Sequence, residues 1–169
     1  MINSAPRQGG KYHQGLFIPK NKDKVVKLNS SGGLFFRSGL EKKMMVYLDN
    51  NEKILNWGAE HLAIPYEKTE YNNESHQLEK TSHTYYPDFY YELMKSNGVV
   101  SKVVAEVKPL SETREPKLPS TPTSKQLKNF EYSLKMWNKN LSKWKYMIEF
   151  CQRKGFEFII ITEENLGKN

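Results

Sequence analysis

One cysteine, Cys151, is all that 169 residues provide, which excludes an internal disulfide and fits a reducing compartment. Long apolar runs are also missing: none approaches the roughly 20 residues that cross a bilayer, and Met1-Ile2-Asn3-Ser4 begins no signal-peptide apolar region. A soluble, cytoplasmic protein is therefore expected. No internal repeat is present. Acidic residues are outnumbered, with 19 Asp and Glu against 26 Lys and Arg, giving a net charge of +7. That excess fits a polyanionic partner, since lysines and arginines bind nucleic acid by displacing condensed counterions. A lysine-rich surface serving only solubility is the plainer alternative.

The length suits one core. Residues 1–33 are polar and basic, with Arg7, Lys11, Lys20, Lys22, Lys24 and Lys27 among Gly, Asn and Ser. They read as an N-terminal arm contacting phosphates, part of which docks through Tyr12, Phe17 and Ile18, in preference to a disordered tail. Residues 34–169 form the single domain. A helix starts at Ser38, whose spacing to Glu41 is that of a capping box. Glu41 also falls in register with Met44, Met45 and Leu48 on the apolar stripe. A carboxylate on that stripe needs a partner, and a metal ion supplies one, so the metal-site reading is preferred over the cap alone.

Trp57 leads into a half-buried strand expected from about Glu60 to Tyr66, and residues 67–82, which show no pattern, read as a long loop. Beyond Lys108, Pro109, Pro116, Pro119 and Pro122 should hold the chain extended over the surface. A long helix from Ser124 carries Phe130, Leu134, Trp137, Leu141, Trp144, Ile148 and Cys151 as one stripe, Gly155 ends it, and Phe156 to Ile161 reads as a buried strand.

Tyr85 to Pro109 holds the chemistry. An aromatic run and a β-branched run flank Ser96-Asn97-Gly98, a hairpin with Gly98 left-handed in a three-residue turn. Lys95 then pairs with Val99, and Asp88 comes opposite Glu106. A two-residue loop would pair Asp88 with Val107 and send Glu106 to the other face. On the second strand Val103, Ala105 and Val107 share one face, and Val104, Glu106 and Lys108 the other. Two carboxylates and a lysine converging at a sheet edge suit phosphodiester hydrolysis. Mg²⁺ prefers oxygen ligands and keeps several waters, so few carboxylates hold it beside a phosphate. Lysine adds charge to the developing pentacovalent phosphate or orients the attacking water.

At these residues the chain resembles the PD-(D/E)xK nuclease superfamily: Glu41 on the first helix, Asp88 after Pro87, and Glu106-Val107-Lys108 on the next strand. The resemblance implies an α/β, restriction-endonuclease-like core, a mixed β-sheet flanked by helices in the order αβββαβ. It implies a Mg²⁺ ion, with Mn²⁺ as an alternative, on Asp88, Glu106, Glu41 and the backbone carbonyl of Val107. More narrowly, Phe36 to Glu41, Trp57, Ile64-Pro65-Tyr66, Tyr86 to Phe89, Glu106 to Pro109 and Trp144 to Cys151 resemble the head completion nucleases of large contractile-tailed phages. The amino-terminal Gly15, Phe17, Pro19, Asn21 and Lys24 fit as well. This implies DNA processing in the host cytoplasm during virion assembly, with DNA, and head, portal or neck proteins, as partners. Some related nucleases carry a glutamine and a tyrosine after the lysine; Gln126 is in place, but Phe130 stands where the tyrosine would be. Arg37, His83, Gln126 and Lys24 are candidate DNA contacts. The alternatives are a TnsA-like transposon or repair endonuclease on the same core, and a non-cleaving basic assembly protein that binds DNA or the portal.

Overall fold

Turn and cap residues set where each element begins and ends. The structure, a computed structural model, describes residues 13–167. In chain order the strands are β1 (Gly15–Phe17), β2 (Leu34–Phe36), β3 (Ile54–Ala59), β4 (Ile64–Asn72), β5 (Gln77–Tyr85), β6 (Phe89–Met94), β7 (Val100–Val107) and β8 (Glu157–Ile161). Helix α1 (Gly39–Asn50) lies between β2 and β3, and α2 (Ser124–Lys154) between β7 and β8. Ser38 caps α1, its hydroxyl accepting from the Glu41 N–H at 3.1 Å. A capping box between Thr123 and Gln126 starts α2, and Gly155, left-handed at φ 67°, stops it.

The central sheet has the order β3-β6-β7-β8, with β7 and β8 parallel and the other pairs antiparallel. Its hairpin has the three-residue loop: Gly98 sits at φ 78°, Lys95 N–H donates to Val99 at 2.8 Å, and Phe89 pairs with Ala105. Period-two alternation then sorts β7 onto two cores. Val103, Ala105 and Val107 pack with Trp57, Phe89 and the α1 residues Met44, Met45 and Leu48. Val104 packs with Tyr66, Tyr85 and Tyr90 and with Met147 and Cys151 of α2. Each fully buried Met or Leu contributes about 1.5–3 kcal/mol, so both helices are fastened to the sheet by a few side chains each.

Three expectations need correction. The strand expected over 60–66 is two elements: β3 ends at Ala59, Glu60 turns at φ 49°, and β4 starts at Ile64. Residues 67–82 are no loop; β4 and β5 pair without interruption from Ile64 with Tyr85 to Asn72 with Gln77 as a separate ribbon. Among its described side chains the buried ones, Ile64, Tyr66 and Tyr85, lie at the base of that ribbon, while Tyr71 and Leu78 are exposed, so no apolar alternation marks its outer half. The α2 stripe is also shifted: Leu141 and Ile148 are 43% and 44% exposed, while Trp144, Met147 and Cys151 are buried.

Of the basic arm expected over 1–33, residues 1–12 lie outside the described residues. From residue 13 the segment packs on the domain. β1 pairs with β2, Phe17, Val25 and Leu28 pack against the core, and buried Asp49 accepts the N–H groups of Lys20 and Asn21 at 2.8 and 3.0 Å. Two backbone donors satisfy a carboxylate that burial would otherwise penalise. The proline-rich stretch runs extended except for a short 3-10 turn at Leu110–Thr113.

Candidate active site

Register places the site. Continuing the β6–β7 pairing one step beyond Phe89 and Ala105 sets Asp88 beside Glu106 at the ends of neighbouring strands. The Val107 N–H donates to Asp88 Oδ2 at 2.7 Å and fixes that carboxylate. Glu106 is 3% exposed. One of its oxygens lies 3.0 Å from the Lys108 ammonium, and the other accepts the hydroxyl of buried Tyr85. The Lys108 N–H donates to Ile161 on β8, so the lysine backbone is held from its far side.

Electrostatics follow from that crowding. Burial, then the negative charge of Glu106, raises Asp88 well above its ordinary value, against the pull of Lys108. Burial draws Lys108 down, but Glu106 and Asp88 outweigh it and its pKa ends above the ordinary lysine value. Two carboxylates desolvated together favour a cation between them. Among the described residues, no group of three or more His, Cys, Asp or Glu side chains could hold a metal ion by itself. Two carboxylates with water and substrate oxygens nevertheless meet the needs of a hard divalent cation. The donor chemistry fits.

Glu41 is partly committed elsewhere. Its carboxylate accepts the Arg37 N–H at 2.7 Å and the Ser38 hydroxyl at 3.1 Å, so it serves the helix start. Burial raises its pKa, offset in part by those bonds, and its charge is felt at Asp88. Arg37 grips both carboxylate oxygens of Glu60. His83 stacks on Tyr66 at 5.4 Å and meets the Thr81 hydroxyl at 2.9 Å on the exposed ribbon. Gln126 lines the cleft beside α2, but its amide oxygen accepts the Thr123 N–H at 2.9 Å as a cap. Lys24 donates to the Asn51 carbonyl at 3.2 Å. The structure thus unites Asp88, Glu106 and Lys108, sets Glu41 at the margin, and gives the four candidate DNA contacts local partners.

Tyr85 and Lys143 were not foreseen. The Lys143 ammonium lies 4.5 Å from the centre of the Tyr85 ring. The only sequence cue for Tyr85 is its place just ahead of Tyr86-Pro87-Asp88; for Lys143 it is the flank position beside Trp144. Both line up only when α2 is laid across the sheet.

A mixed sheet that carries Pro-Asp and Glu-x-Lys on adjacent strand ends, covered by a helix on each face, defines a PD-(D/E)xK-type nuclease. Residues 51–163 match the family described as TnsA-like endonuclease N terminal, and the chain belongs to that family. Over 154 residues it is 30% identical to the head completion nuclease of Enterobacteria phage T4, a match covering 91% of this chain and 93% of that protein.

Proposed function

We propose that the protein is a metal-dependent DNA nuclease that processes packaged DNA during phage head completion and head–tail joining. The observation that carries the chemistry is the convergence of Asp88, Glu106 and Lys108, with the lysine 3.0 Å from Glu106. The near full-length likeness to a head completion nuclease supports the setting, and favours it over a transposon or repair role on the same core. The complete acid–lysine set speaks against a non-cleaving assembly protein.

Asp88 and Glu106, with the Val107 carbonyl and Glu41 at the margin, are the groups that would hold Mg²⁺ or Mn²⁺. Such a cation supplies positive charge to the phosphate and acidifies the attacking water. Lys108 orients that water and stabilises the pentacovalent phosphate. Tyr85 keeps Glu106 turned towards the site through its hydroxyl. DNA is the substrate, and head, portal or neck proteins are the partners of the assembled state.

Incubation of linear and circular DNA with Mg²⁺, Mn²⁺ or EDTA tests this, with Asp88→Ala and Lys108→Ala as controls. Metal-dependent cleavage by the wild type alone is expected. Cleavage that persists in both variants removes the site, and no cleavage under any condition leaves the assembly protein.

A further inference from the structure

Beyond the catalytic trio, α2 offers a second cationic centre. Lys143 lies over the Tyr85 ring, the hydroxyl of that ring holds Glu106, and Glu106 and Asp88 attract the ammonium without bonding it. It makes no hydrogen bond or ion pair among the described residues, although the side chain is partly buried. Lys139 is one helical turn away on the same side, and like charges at this spacing disfavour a helix unless an anion lies between them. Lys108, Lys139 and Lys143 all line one cleft of about 710 Å³ between α2 and the proline-rich segment, joined by Arg114 and Lys117 and opposed by one acid, Glu112. The cleft opens directly onto the catalytic lysine. Five cations face one acid across its lining, so the cleft keeps a positive excess that suits a polyanion.

We infer that Lys143, backed by Lys139, forms a second phosphate site, which holds the DNA phosphodiester next to the one that is cut. This rests on the nuclease reading and adds a residue to it. The cleft gives the strand its course: one phosphate at Lys108 and the carboxylates, the next at Lys143, and the rest of the strand along α2 past Lys139. Lysine suits the task, because a phosphate accepts from a mobile point charge without demanding a planar fork. The Tyr85 ring beneath it keeps the ammonium facing the cleft.

The test is DNA binding in EDTA, so that cleavage plays no part, with a fluorescent duplex oligonucleotide and its affinity followed against salt. Neutralising one phosphate contact lowers the slope of log affinity against log salt by about 0.9 on duplex DNA. Lys143→Met is expected to lower the slope by that amount, and Lys143→Arg to restore it. A series of the same oligonucleotide with single neutral methylphosphonate linkages should reveal one linkage that weakens the wild type and leaves Lys143→Met unaffected. Lys143→Gln serves if the methionine variant does not fold, as judged by its melting curve. A slope and a linkage profile equal to wild type in these variants would overturn the phosphate site. Lys143 variants that behave as expected beside wild-type protein that cuts no DNA with Mg²⁺ or Mn²⁺ would overturn the nuclease reading and uphold Lys143 as a phosphate contact alone. Wild-type protein that binds no DNA overturns both.

Discussion

The Val107 N–H reaches across from β7 to Asp88 Oδ2 at 2.7 Å. This bond closes the end of the hairpin and fixes one Asp88 oxygen, while the charge of Glu106 acts on the same carboxyl group. Most of the site's behaviour derives from holding two carboxylates that close.

Asp88→Asn should abolish cleavage and raise stability. The folded pKa of Asp88 lies above its unfolded value, so its contribution to stability is fully present below the unfolded pKa and is lost as pH rises through the folded one. At neutral pH the buried carboxyl group therefore works against the fold, whichever form it takes. The thermal midpoint of Asp88→Asn should exceed that of wild type at pH 7 by a few degrees, with the gap closing towards pH 4. A lower midpoint at pH 7 would contradict the electrostatic account.

Added Mg²⁺ or Mn²⁺ should stabilise the wild type, by about 2.7 kcal/mol at a concentration one hundred times the dissociation constant. Asp88→Asn and Glu106→Gln should lose that gain. Differential scanning fluorimetry with and without EDTA measures it.

Tyr85→Phe keeps the ring under Lys143 and removes the hydroxyl that Glu106 accepts. Loss of such a supporting bond typically costs 10–100-fold in activity or metal affinity, so kcat or the metal requirement should worsen by about tenfold or more while DNA affinity in EDTA is unchanged.

Ser38→Ala removes the cap of α1 and should cost about 1 kcal/mol, read as a lower urea midpoint at constant slope. The same change frees one oxygen of Glu41. Gly98→Ala should cost a similar amount, because φ 78° strains any side chain even though open space surrounds the position. Its cleavage rate should stay near wild type, since the loop lies at the far end of the hairpin.

How much of this was legible varied with the local signal. Ser96-Asn97-Gly98 specified the turn, and with it the facing of Asp88 and Glu106. The capping pair at Ser38 and the stop at Gly155 are equally local, whereas Gln126, read as a DNA contact, proved to cap α2 with Thr123. The β4–β5 ribbon escaped notice because even its outer apolar residues, Tyr71 and Leu78, face solvent, so no apolar period marks it. In α2 the stripe misled for a geometric reason: 31 residues at about 1.5 Å rise span far more than eight strand residues at about 3.3 Å. The helix outruns the sheet, and Leu127 and Leu141 remain exposed along the excess. Lys143 depends on how that helix lies over Tyr85, a tertiary relation with no sequence period. Glu60 was hidden likewise, since its pairing with Arg37 joins two loops far apart in the chain.

The bond from the Lys108 N–H to Ile161 has a consequence in the order of synthesis. Asp88 and Glu106 belong to one hairpin and can meet as soon as that hairpin leaves the ribosome, but the strand that pins the Lys108 backbone is made only after the whole of α2. A growing chain thus holds its acidic pair before its lysine is fixed, and the proposed site is complete only with the last strand of the sheet.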